Sequence, residues 1–106
     1  MFTDTHCHLN RLDLTKYDGQ LSGAIAAMKE ANVNRAMAIM CDFAEYDEID
    51  NIVSTYNDET VNLGMSVGIH PCEDIGVLQS ATVERLIETA DAEHVWAIGE
   101  TGLDYY

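Results

Sequence analysis

The stretch AMAIMCDFAEYDEIDNIVSTYNDETVNLGMSVGI, residues 36–69, holds a complete strand–helix–strand pattern. It opens on one apolar run, Ala36 to Cys41, and closes on another, Leu63 to Ile69. Both are short and nearly uninterrupted, as strands buried on both faces are. Between them Phe43, Tyr46, Ile49, Val53 and Tyr56 step by three or four, while Glu45, Asp47, Glu48 and Asp50 fill the other positions. That is the spacing of an amphipathic helix with one face turned to a core. Two buried strands joined through a helix run parallel, because the second is reached only by crossing over the sheet.

The same unit recurs outward in both directions. Phe2 to Thr5 reads as a strand before it, joined by a helix whose stripe is Leu21, Ile25 and Met28, with Asn32 placed as a left-handed stop. On the other side Val83, Leu86, Ile87 and Ala90 form a stripe with Glu84, Arg85 and Glu88 outside it, and Val95 to Ile98 follows as a fourth strand. The order is βαβαβαβ, an α/β fold with a parallel sheet. The period of roughly thirty residues is that of a βα unit rather than of a solenoid repeat. Neither a linker nor a composition shift divides the chain, so residues 1–106 read as one unit.

Nineteen acidic against five basic side chains leave a formal charge of −14. Such a surface repels duplex DNA and anionic lipid at long range, but it does not exclude a phosphate reached through bound cations. The most apolar stretch, around Ala36 to Met40, is far short of the roughly 20 residues that span a bilayer. The start, Met1 to His6, lacks a basic region followed by an apolar one. A cytoplasmic location without a membrane segment is therefore expected. Cys7, Cys41 and Cys72 are odd in number and form no Cys-x-x-Cys pair, which predicts reduced, mostly buried thiols rather than disulfides or a thiolate zinc site.

The chemistry-bearing residues gather at the carboxyl ends of the strands, where parallel α/β folds build their sites. Asp4, His6 and His8 alternate along the first strand and its exit, and strict alternation would turn all three to one side. Two imidazoles at i and i+2 can share one divalent cation; a hydrogen-bonded strand end is the plainer alternative. Glu100 ends the apolar fourth strand between Gly99 and Thr101-Gly102. Taken alone it is a surface acid, but beside His6 and His8 it becomes a third ligand able to bridge two cations. Imidazole with carboxylate suits zinc, manganese or magnesium. His70, after Gly68-Ile69 and before Pro71, either contacts a substrate oxygen or bonds the turn. His94 precedes its strand, at the opposite end, and is left out of the site.

Three segments together resemble the TatD family of metal-dependent deoxyribonucleases: Phe2-Thr3-Asp4-Thr5-His6-Cys7-His8-Leu9, Ser66-Val67-Gly68-Ile69-His70-Pro71, and Ala97-Ile98-Gly99-Glu100-Thr101-Gly102-Leu103-Asp104-Tyr105-Tyr106. The resemblance runs from the first residue to the last. It implies a (β/α)8 barrel of the amidohydrolase type whose two divalent cations, Mg, Mn or Zn, activate water and stabilise charge at phosphorus during hydrolysis of DNA phosphodiesters. It further implies that His6 and His8 hold one metal, that Glu100 bridges both, and that His70 faces the substrate phosphate.

The sequence departs from the family pattern in two ways. Cys72 stands where the family usually has a histidine. A complete barrel takes roughly 250 residues, so this chain resembles its first half, with the family's remaining ligands on later strands. A half barrel leaves edge strands and an inward apolar face open, which predicts self-association and little or no hydrolysis by a monomer. The same strand-end histidines also fit a non-catalytic metal-binding or interaction module, or an amidohydrolase-type enzyme acting on a non-nucleic-acid ester or amide.

Overall fold

A computed structural model describes residues 2–70, 73 and 82–99. Strands β1 (Phe2–Cys7), β2 (Val33–Ala38), β3 (Asn62–Val67) and β4 (Val95–Ile98) alternate with helices α1 (Leu21–Glu30), α2 (Tyr46–Tyr56) and α3 (Val83–Ala90). Every pairing is parallel and the sheet order is β1-β2-β3-β4. This is the arrangement of the first four units of a (β/α)8 barrel.

Local chemistry sets the boundaries. Asn32 takes φ 64°, the left-handed stop expected after α1. The chain then enters β2 at once, so this strand begins at Val33, earlier than its apolar run suggests, and ends at Ala38. Ile39, Met40 and Cys41 stay buried beyond it. Phe43–Glu45 form a short 3-10 turn whose Asp42 side chain accepts from the Ala44 N–H, and α2 starts only at Tyr46. Thr82 caps α3 by accepting from the Arg85 N–H at 3.1 Å. Two further 3-10 turns, Leu9–Arg11 and Thr15–Tyr17, lie between β1 and α1, where hydrophobic periodicity gave no sign of them.

The core lies between the sheet and its helices. Ala36 and Ala38 of β2 and Leu63, Met65 and Val67 of β3 meet Ile25 of α1 and Ile49 and Val53 of α2. Full burial of each large aliphatic side chain contributes about 1.5–3 kcal/mol. Arg85 of α3 lies over the ring of buried Phe43, 4.1 Å from its centroid, and ties the third helix to the turn before α2. On the other face of the sheet the Trp96 indole crosses Gly64 so closely that a Cβ there would sit 2.1 Å from ring atoms. Only glycine permits that approach.

Candidate metal centre

His6 and His8 stand at the carboxyl end of β1, their ring centroids 5.2 Å apart and their planes at 82°. Two imidazole nitrogens bound at about 2.1 Å to one cation place ring centroids about 5 Å apart, so the pair is spaced for a shared ion. The His8 Nδ1 lies 3.2 Å from the Ile39 carbonyl oxygen. A carbonyl only accepts, so Nδ1 carries the proton and donates, which leaves the Nε2 lone pair for a ligand. Fixing the tautomer through the second ring nitrogen is the usual support of a metal-binding histidine. His6 is exposed, and its backbone N–H donates to Asp4 Oδ1 at 3.0 Å.

Asp4 does not follow the expected alternation. Asp4 pairs with Ala36 but Cys7 with Ala38, so three steps along β1 oppose two along β2 and an extra residue is accommodated. Asp4 and Cys7 then both border a cavity of about 550 Å3 under α1, lined also by Asp13, Lys16, Tyr17 and Met28 and by neither histidine. This cavity is thus separate from the candidate chemistry. Burial, with the Asp4 charge beside it, pushes the Cys7 thiol up to about 11, and its Sγ donates to the Met37 carbonyl at 3.3 Å. Cys7 is half-buried and Cys41 buried, and no disulfide joins them; Cys72 lies outside the described residues.

His70 emerges at the same end of the sheet. Its backbone N–H donates to the Cys41 carbonyl at 2.7 Å, two residues along from the carbonyl that holds the His8 ring. The fourth strand is stitched at the same level: the Gly99 N–H donates to the Val67 carbonyl at 2.9 Å, and buried Ser66 Oγ donates to the Gly99 carbonyl at 3.1 Å. Glu100, the expected bridging ligand, follows Gly99 in the chain and lies outside the described residues. Among the described residues no group of three or more His, Cys, Asp or Glu side chains is set for a metal ion; the described site contributes the His6–His8 pair. His94 sits against Asp50, at the start of β4.

Sequence reasoning missed Glu45, which it placed on the outer face of a helix. Its carboxylate accepts from Asn10 Nδ2 at 2.6 Å, Arg11 Nε at 3.0 Å, Arg11 Nη2 at 2.8 Å and the Cys41 N–H at 3.1 Å. Partial burial raises its pKa, but the bonds from Asn10, Arg11 and Cys41, with the Arg11 charge, outweigh that and hold the carboxyl below the usual glutamate range. One signal was available: Arg11 is among only five basic residues and stands three positions after His8.

A parallel βα succession with an imidazole pair at a strand's carboxyl end is the architecture of barrel metallohydrolases. Comparison with known proteins makes this specific. The TatD related DNase family model matches residues 3–106, and the chain belongs to that family. It is 32% identical over 103 residues to the uncharacterized metal-dependent hydrolase YcfH of Escherichia coli K12, covering 97% of this chain and 36% of the relative. It is 29% identical over 106 residues to the uncharacterized metal-dependent hydrolase YabD of Bacillus subtilis, covering 100% and 38%. To human deoxyribonuclease TATDN3 it is 28% identical over 109 residues, covering 96% and 38%. The chain spans little more than a third of the length of these relatives. No helix among the described residues is long and apolar enough to cross a membrane.

Proposed function

We propose that residues 1–106 form the amino-terminal half barrel of a metal-dependent phosphodiesterase, in which His6, His8 and Glu100 hold one divalent cation, Glu100 also reaches a second, and His70 faces the substrate phosphate. The observation that carries this reading is the His6–His8 pair, 5.2 Å between centroids, with the His8 Nδ1 committed to a carbonyl. The names of the relatives, metal-dependent hydrolases and a deoxyribonuclease, support a divalent metal and DNA as the substrate class. Bound cations supply a nucleophile from water near neutral pH and offset charge on the phosphate. The chain's own part is to aim two imidazole nitrogens at one point and to keep His70 beside them. A charge of −14 makes approach of a polyanion depend on those cations.

With Phe2 and Ile98 more than half exposed and Trp96 partly so, the sheet carries apolar surface that a complete barrel would cover. Self-association of this chain and little hydrolysis by its monomer follow from the proposal. The test is equilibrium binding of manganese or zinc to the wild type and to the His6→Ala/His8→Ala double variant, with native mass measured on the same samples. Binding that the double variant loses supports the reading. Equal binding by both proteins rejects it, and a purely monomeric mass at working concentration rejects self-association.

A further inference from the structure

We propose that Glu45 is a positioning residue for the metal centre: through the Cys41 N–H and the Asn10–Arg11 turn it fixes the 39–41 segment against which His8 and His70 are both set. That segment has left the regular part of β2, yet its polar groups are engaged from all sides. The Ile39 N–H donates to the Cys7 carbonyl at 2.8 Å, and the Ile39 carbonyl accepts from the His8 ring. The Met40 N–H reaches Ser66 Oγ at 3.4 Å, and Ser66 in turn donates to Gly99, the residue before Glu100. The Cys41 carbonyl takes the His70 N–H, and the Cys41 N–H goes to Glu45. Three buried residues therefore join the exits of β1, β3 and β4, and the charged Glu45 side chain holds this segment at the Cys41 N–H.

The same carboxylate grips the turn that follows His8. Arg11 meets it in a fork, Nε to one oxygen and Nη2 to the other, and Asn10 adds a third donor. The Arg11 N–H closes this turn onto the His8 carbonyl at 2.9 Å, and Leu9 anchors it in the core. With the Cys41 N–H, four donors occupy the acceptor sites of one carboxylate, the arrangement that adds geometric definition to a charge-assisted contact. His8 is thus held from two sides, by its ring on Ile39 and by its backbone through Arg11; Glu45 bonds Arg11 directly and reaches the Ile39 side through the Cys41 N–H, two residues further along. This rests on the reading of His6 and His8 as ligands.

The experiment has a metal-free arm and a metal arm, applied to the wild type, Glu45→Ala, Glu45→Gln and Arg11→Ala. In the metal-free protein, nitrogen-edited NMR reads the His8 tautomer, and amide exchange reads Cys41 and His70. Glu45→Ala is expected to erase the Nδ1–H preference of His8 and to speed exchange at both amides at least about tenfold. Glu45→Gln, which still offers an oxygen to the Cys41 N–H, should retain slow exchange at Cys41 and lose part of the His8 preference. Arg11→Ala should fall between it and the wild type. In the metal arm the dissociation constant should rise roughly tenfold in Glu45→Ala, the usual effect of losing a group that orients a ligand.

A folded Glu45→Ala protein with unchanged His8 tautomer and unchanged exchange at Cys41 and His70 overturns the proposal. Should that variant not fold, an unaltered His8 tautomer in both Glu45→Gln and Arg11→Ala overturns it equally. If the wild type takes up no metal through its histidines, the ligand reading fails instead, and the metal-free arm still decides the role of Glu45.

Discussion

The middle and the flank of one sheet differ sharply. In β3 every residue from Leu63 to Val67 is buried, and burial continues through Gly68 and Ile69; in β1 every residue from Phe2 to His6 is exposed. Both strands are six residues long and parallel to β2. What separates them is neighbours: β3 has a strand on each side and helices against its apolar face, whereas β1 pairs on one side. The difference teaches that stability and chemistry are segregated here. The well-packed middle carries the folding energy, whereas the His6–His8 pair lies at the end of an exposed flanking strand, where the His8 ring is held by a hydrogen bond to the Ile39 carbonyl.

If so, truncating the middle should have the largest effect. Leu63→Ala, at a fully buried position, is expected to lower stability by about 2–5 kcal/mol, read from urea denaturation. Gly64→Ala should cost about 1–3 kcal/mol, since its Cβ would collide with the indole and force Trp96 aside. As Trp96 is the single tryptophan, a change in its fluorescence reports the displacement directly. Phe2→Ala, on the exposed flank, should change stability by no more than about 0.5 kcal/mol. Equal losses at Leu63 and Phe2 would erase the contrast.

Acid sharpens the comparison from another side, because the lowered carboxyls lie on the connections. Hydrogen bonds from Thr60, then Lys29 and the Val61 N–H, pull Asp58 well below the usual range; Thr15 does the same for Asp13, and Asn10, Arg11 and Cys41 outweigh burial at Glu45. Each folded pKa lies below its unfolded value, so the unfolded chain binds more protons in acid. The stabilisation is complete above the ordinary carboxyl range and is lost as pH falls through the folded values, below about pH 4. Urea midpoints at pH 6, 4 and 3 should decline accordingly, and the decline should be shallower in Asp58→Asn.

The fold was legible where burial leaves a period in the sequence. Four apolar runs and three stripes yielded the βαβαβαβ succession along the chain, and Asn32 marked the end of α1 because few other residues tolerate its left-handed backbone. Edges were less legible. Ile39 to Cys41 are as apolar as the strand before them, yet their hydrogen bonds go to side chains and neighbouring exits, a choice made by tertiary contacts. The alternation of Asp4 with His6 failed because an extra residue in β1 resets the register, which no local pattern announces. Within the site the histidines were read from spacing, whereas Glu45 was not, since its side-chain partners Arg11 and Asn10 lie 34 and 35 residues away.

The central claim is that His6 and His8 share one divalent cation, with His8 binding through Nε2. Its most direct test is nitrogen-15 NMR of the histidine rings during titration with zinc. The account predicts that the His6 and His8 rings shift together, with His8 retaining its Nδ1–H and losing the free lone-pair signal of Nε2. Zinc-dependent shifts at His70 or His94 with His6 and His8 unmoved would contradict it.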